Sequence, residues 1–345
     1  MEDQLKAFFD GQPSWLLGVE IVAILAVLAK AADWLVGEAV VLSERSGLPK
    51  VIVGATIVSL GTTAPEAAVS VLAAWQGNSG IALGNAVGSI ICDTGLILGI
   101  ACLILPLKLP RQIVNRQGWI QFASGCLLVA ACWPWGGNPL KDGGNLSQFA
   151  GFVFIALLVG YLAMSVRWAK ALSGIVELEE FEKDAGASMA VVVVKLLVAI
   201  AMVVGASTVL IPAITVAAER LNVPEAIVAA TLIAFGTSLP ELVTAVTAAR
   251  KDHGDLAIGN IIGADILNVL FVAGTAAAVT PAGLDALPLF FMIQLPAMLL
   301  ILIVFRVGVT LSGERLQRSF GCLLLALYLA YLVLNVIFGT ADPPH

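Results

Sequence analysis

Charge and histidine are what this sequence has least of. Only 12% of its residues are charged and it holds two histidines, His253 and His345, whereas a soluble domain carries about 25% charged side chains. So little charge, beside 59% hydrophobic residues, excludes a water-soluble fold, because a chain of this length cannot hide that much apolar side chain. Two histidines leave little material for histidine-based chemistry. The H-E-x-x-H and G-x-S-x-G signatures are absent, and I-G-A-D from Ile262 to Asp265 lacks the second glycine of an intramembrane aspartyl protease, so no enzyme and no resident cofactor are expected. The five cysteines, Cys92, Cys102, Cys126, Cys132 and Cys322, show no paired ligand spacing and read as small core residues. Nothing in the charge pattern points to nucleic acid.

What the sequence has is long apolar runs. A membrane-spanning helix needs roughly 20 apolar residues, and ten such runs are separated by short breaks of Pro, Gly, Asn, Lys and Arg: 15–42, 50–75, 80–105, 118–135, 150–168, 188–216, 224–249, 255–279, 285–306 and 318–338. The first follows an acidic segment with no small-residue cleavage pattern behind it, so it is expected to stay as a helix. Lys and Arg are retained on the cytoplasmic side of a membrane. With the N-terminus outside, the outer segments hold only Lys6, Lys141 and Arg220, so both termini are expected to be extracytoplasmic in the cell (inner) membrane. Glu177, Glu179, Glu180, Glu182 and Asp184 mark a solvated acidic linker. Glu20, Lys30, Asp33 and Lys195, in or near the first and sixth runs, are expected to snorkel and pair with one another.

The chain repeats itself. G-A-T-I-V-S-L-G-T-T-A-P-E from Gly54 to Glu66 matches A-A-T-L-I-A-F-G-T-S-L-P-E from Ala229 to Glu241, and the same offset carries Ile81–Asp93 onto Leu256–Asn268 and Pro49 onto Pro224. Each copy covers two runs, so the units are runs one to five and six to ten. Five is odd, hence the second unit enters the bilayer from the opposite side. The expected fold is an all-α integral membrane protein of ten transmembrane helices in two inverted-topology five-helix repeats, residues 1–170 and 188–345, joined by the linker 171–187.

Glu66 and Glu241 lie inside runs two and seven, where a carboxylate is costly and marks function. Each follows a proline, Pro65 or Pro240, that cannot donate to the helix ladder, so carbonyls and hydroxyls beside the acid become oxygen ligands of the kind hard cations take. Thr62 and Thr63 fall on the Glu66 side at helical spacing, and Thr237 and Ser238 repeat this for Glu241. Asn85, Ser89 and Asp93 form one polar stripe in run three; Asn260, Ala264 and Asn268 are its counterpart in run eight. Two glutamates, an aspartate, hydroxyls and amides would make an all-oxygen cage for one divalent or several monovalent cations. Hydroxyls that bond their own backbone are the competing reading for any one Thr or Ser. Gly84, Gly88, Gly259 and Gly263 are assigned to close helix packing.

At these residues the sequence resembles the calcium/cation antiporter superfamily, specifically its Na+/Ca2+ exchanger branch of bacterial and archaeal type, whose marks are G-T-[ST]-x-P-E followed by G-N-x-x-G-[SA] in each of two repeats. A-D-W-L-V around Asp33 looks like the first-helix pattern. The resemblance implies a secondary active antiporter exchanging Ca2+ for Na+ by alternating access, working as a monomer in the lipid bilayer, with H+-coupled export of Ca2+ or another divalent cation as the alternative and K+ as a further candidate ion. It implies ligands at Thr62, Thr63, Glu66, Ser89, Asp93, Thr237, Ser238, Glu241 and Asn268, with carbonyl oxygens from Ser59 and Ala234. The chain departs from the family at Ala264, where a serine ligand is usual. Asp93 and Asn268 look exchanged relative to an arrangement found in the family. Asp265 stands where asparagine is usual, either as an auxiliary acid or as a hydrogen-bonding group.

Overall fold

A computed structural model describes residues 2–172, 188–221 and 236–339; the acidic linker, Pro224 and Ala234 lie outside the described residues. Helix α1 (Glu2–Asp10) is short, and α2 (Ser14–Ser46) is a single 33-residue helix. Two helices follow at a break, α3 (Lys50–Thr62) and α4 (Ala64–Trp75), bent by 44°. Then come α5 (Ser79–Ile104), α6 (Arg111–Cys132), α7 (Gln148–Leu172), α8 (Met189–Arg220) and α9 (Leu239–Arg250). The last three are α10 (Gly254–Ala278), α11 (Phe290–Leu311) and α12 (Arg318–Gly339). Among the described residues, seven helices are long and apolar enough to cross a membrane, and the bent pair makes an eighth. Of the two other expected runs, 224–249 is only partly described. The remaining one is α6, which carries Arg111, Arg116, Gln117 and Gln121.

Helix α6 begins at Arg111 rather than near residue 118 because its first turn is anchored. The Arg111 guanidinium donates to the carbonyls of Ser312 and Gly313, at 2.5 and 3.0 Å. The run 285–306 starts later, since Leu284–Ala286 is a strand. Four short strands form two antiparallel pairs: β1 (Leu107–Lys108) with β4 (Arg315–Leu316), and β2 (Gly144–Leu146) with β3 (Leu284–Ala286). The strands β1 and β2 flank the 22-residue α6, so the two pairs sit about 33 Å apart along its axis. Each joins a connection from one half of the chain to a connection from the other half, which satisfies backbone groups where the chain leaves a helix.

Helix α1 was not among the expected runs. Its Phe9 is buried beside Leu17, Ala213 and Val216, Lys6 pairs with Glu219 at 2.7 Å, and Arg220 donates to the Phe9, Asp10 and Gln12 carbonyls. Of the four charges expected to pair with one another, two form ion pairs with other partners, Asp33 with Lys251 at 2.7 Å and Lys195 with Glu38 at 3.7 Å, while Glu20 keeps a buried oxygen without a partner among the described residues. Of the cysteines, Cys92, Cys102 and Cys132 are core residues, whereas Cys322 is exposed on α12.

Helix α10 is the most enclosed element, and glycine explains how. A Cβ on Gly259 would come within 2.2 Å of the Val51 carbonyl, and one on Gly263 within 2.5 Å of Ala55. Only glycine lets α10 lie this close to the α3 backbone. Gly84 on α5, in contrast, has open space around it among the described residues. Gly61 and its repeat counterpart Gly236 face Ile200 and Ile211 of α8, so one helix covers both chain breaks.

Candidate cation site

The two proline-broken segments meet in the interior. Pro65 and Pro240 stand in the first turn of α4 and α9, where proline is tolerated but the carbonyl four residues back loses its donor. Thr63 occupies the break before α4 and Ser238 the position before α9. Glu66 and Glu241 follow, both buried, 1% and 0% exposed.

Hydrogen bonds cross between the copies. The Thr63 hydroxyl donates to Glu241 Oε1 at 3.3 Å, and the Thr237 hydroxyl donates to Asn85 Oδ1 at 3.2 Å. The Asn85 amide in turn donates to the Glu66 carbonyl at 3.2 Å and to Ser70 at 2.9 Å. Asn85 therefore ties α5 to both breaks. The carboxyls of Glu241 and Asp93 lie near enough to Glu66 to repel its charge, and Ser238 stands beside Asp93.

Much of this polar surface has no protein partner among the described residues. Glu66 Oε2, Glu241 Oε2, both Asp93 oxygens, the Ser89 and Ser238 hydroxyls and the whole Asn268 amide are buried without a hydrogen bond. Buried polar atoms are normally satisfied, and burying like charges together is unfavourable without a counter-charge. For the oxygens, a dehydrated cation would answer both needs, because it takes oxygen ligands and neutralises them. No three Asp, Glu, His or Cys side chains among the described residues come close enough to hold a metal ion by themselves, so hydroxyls and amides have to complete any coordination shell.

The other expected ligands are placed as follows. Thr62 is buried, and its hydroxyl donates to the Ser59 carbonyl at 3.3 Å. That carbonyl also accepts the Thr63 backbone N–H at 2.8 Å, so its lone pairs are engaged within α3. Ala234 lies outside the described residues. Asp93 is the second residue of a π-helical turn, Cys92–Ile97, and Asn268 opens the matching one, Asn268–Ala273; such turns widen a helix and cluster at functional sites.

Asp265 has protein donors of its own. Its Oδ2 accepts from Gln121 Nε2 at 2.5 Å and from the Thr94 hydroxyl, and Gln121 also donates to Thr94 at 3.2 Å. Neither Thr94 nor Gln121 was singled out from the sequence. A signal was there: Gln117 and Gln121 are four residues apart on one face of an otherwise apolar stretch. A third missed residue is Tyr161 of α7, whose hydroxyl donates to the Ala55 carbonyl at 3.2 Å inside the π-helical turn Gly54–Val58.

Comparison with known proteins places this arrangement in a context. The profile of the sodium/calcium exchanger protein family matches residues 16–167 and 191–337. Inner membrane protein YrbG of Escherichia coli is 33% identical over 321 residues, covering 91% of this chain and 94% of that protein. Sodium/calcium exchanger MaX1 of Methanosarcina acetivorans is 29% identical over 338 residues, covering 90% and 95%. A solved structure of the sodium-calcium exchanger NCX_Mj superposes with a TM-score of 0.76 at 24% identity, over 92% of this chain and 98% of that one.

Proposed function

We propose, starting from the fact that this chain belongs to the sodium/calcium exchanger protein family, that it is a secondary active antiporter exchanging Ca2+ for Na+ at a site between Glu66 and Glu241. The observation that carries this reading is the pair of buried glutamates beside two proline breaks, each with an oxygen that no donor among the described residues satisfies. Thr62, Thr63, Ser89, Asp93, Thr237, Ser238 and Asn268 supply further oxygens. Ca2+ accepts six to eight such ligands in flexible geometry, and Na+ takes the same donor type, so one cage serves both ions at different times.

Alternating access follows from two five-helix units of opposite orientation, ten spans in all. The crossed strand pairs support this, since β1 and β4 join the two halves at one end of α6 while β2 and β3 join them at the other. Both termini are extracytoplasmic, which leaves the Lys- and Arg-rich connections inside.

Proteoliposomes loaded with Na+ are expected to take up Ca2+ when external Na+ is removed, and Glu66→Gln or Glu241→Gln is expected to reduce that uptake at least about a hundredfold, because either change removes a charge from the ion's ligand shell. Uptake that ignores the Na+ gradient but follows a pH gradient would replace Na+ by H+ as the coupling ion. No flux of either kind from correctly folded protein would end the antiporter reading.

A further inference from the structure

The offset that superposes the two copies carries Asp93 onto Asn268 and Ser89 onto Ala264. The second copy therefore lacks the carboxylate and the hydroxyl that the first copy places on its stripe. It has instead a buried acid with no acidic counterpart, Asp265, since the same offset relates Asp265 to Ile90. Three residues separate Asp265 from Asn268, which leaves the two side chains about 60° apart around α10.

Asp265 is 1% exposed, and its two donors Thr94 and Gln121 are 0% and 1% exposed. Under the repeat Thr94 corresponds to Val269, so both the acid and its donor on α5 are polar on one side of the pseudo-symmetry and apolar on the other. Packing does not demand it, because the apolar version fills the equivalent place. The cluster is also not closed on itself. Asp265 Oδ2 is committed to Thr94 and Gln121, while Asp265 Oδ1 and Gln121 Oε1 are buried with no partner among the described residues. Its donor Thr94 directly follows Asp93 in the chain, and Asn268 lies less than one turn further along α10, so Asp265 stands beside the cage.

We infer that the second copy supplies its missing carboxylate from Asp265, and that Gln121 of α6, together with Thr94 of α5, is the positioning group that holds this carboxylate toward the transported cation. This rests on the cation-exchange reading above. Two donors on one oxygen fix the rotation of the carboxyl group and leave the other oxygen to the ion. It also brings α6, which carries neither repeat motif, into the selection of the ion.

The test relocates the charge. Asp265→Asn is isosteric and should keep the fold, yet raise the half-saturating Ca2+ concentration of Na+-driven uptake by roughly tenfold or more, the scale of a lost charge-assisted interaction. Adding Asn268→Asp to Asp265→Asn should return the half-saturation to within about threefold of the unaltered protein, since the acid then stands where the first copy has it. Gln121→Leu and the isosteric Thr94→Val should each weaken half-saturation in the unaltered background and leave the Asp265→Asn/Asn268→Asp background unchanged. The inference is overturned if Asp265→Asn saturates like the unaltered protein, if relocation restores nothing, or if Gln121→Leu and Thr94→Val act equally in both backgrounds, as purely structural changes would. Failure of the antiporter reading is a separate outcome, recognised by absence of exchange in the unaltered protein itself.

Discussion

The two copies of the repeat share a motif but not a hydrogen-bonding state. Asn85 of the first copy bonds to the Glu66 carbonyl, Ser70 and Thr237, while Asn260, at the same place in the second copy, has neither its Nδ2 nor its Oδ1 partnered among the described residues. The turns ahead of them differ as well. Gly77 takes a positive φ in an uncharged turn, and its counterpart Asp252 adopts φ 59, the one non-glycine residue to do so among those described. Asp252 is held there by Lys108 at 2.8 Å and Arg315 at 3.9 Å, and the ammonium beside it keeps its carboxyl below the usual range. Equal sequence motifs thus reach unequal environments. A repeat sets which residues are offered, and the neighbouring elements set which of them are satisfied.

The comparison can be broken at three places. The largest effect is expected at the glycines. Gly263→Ala drives a methyl group into the Ala55 backbone and the Ser59 hydroxyl and should destabilise the protein toward the upper end of roughly 1–3 kcal/mol, seen as a lowered thermal midpoint in detergent. Gly84→Ala on α5 should leave that midpoint unchanged or raise it. Equal losses at both would mean that the two motif helices are packed alike.

Next comes the asparagine pair. Asn85→Ala strips Thr237 and the Glu66 carbonyl of a partner and should cost about 2 kcal/mol, again read from thermal unfolding. Asn260→Ala removes a buried amide with no hydrogen-bond partner among the described residues and should cost far less, so that transport loss at this position, if it occurs, is separable from stability. A matching loss at Asn260 would show that it has partners in the folded protein after all.

The smallest effect is one of pH at the charged turn. Burial, together with the Lys50 ammonium 3.4 Å from its Nδ1, holds His253 below its ordinary pKa. The folded protein therefore resists protonating this ring more than the unfolded chain does, and stability should fall as pH drops below about 6.5. His253→Gln should flatten that slope between pH 5 and 7, and an unchanged slope would remove His253 from the account. The uncharged turn at Gly77 has nothing comparable to titrate.

Much of the architecture was legible because it depends on local chemistry. Most of the described apolar runs mark helices within a few residues, α6 being the exception with a start seven residues early, and Pro65 and Pro240 locate the breaks, since a missing N–H acts on the same chain segment wherever the helix lies. The resemblance to exchangers rested on the same residues and held. Other features were not legible. The strand pairs join connections that are distant in sequence. The π-helical turns at Asp93 and Asn268 depend on how a helix settles against its neighbours. Helix α1 is too short and too polar to register as a span, and it is fixed by contacts with α8. Gln121 shows in the sequence as a polar residue in an apolar stretch, but its acceptor lies on α10, far along the chain.

By itself the sequence determined that the chain is built for a bilayer, that it is doubled, and that two proline-flanked glutamates stand at equivalent places in the two copies, because hydropathy, periodicity and backbone chemistry are properties of short segments. Only the tertiary structure decided which buried oxygens are satisfied by protein and which, among the described residues, are left without a partner. That depends on donors arriving from other helices, as Thr63 does at Glu241 and Gln121 does at Asp265, and in an interior without water each such donor sets whether a charge is bound or waiting.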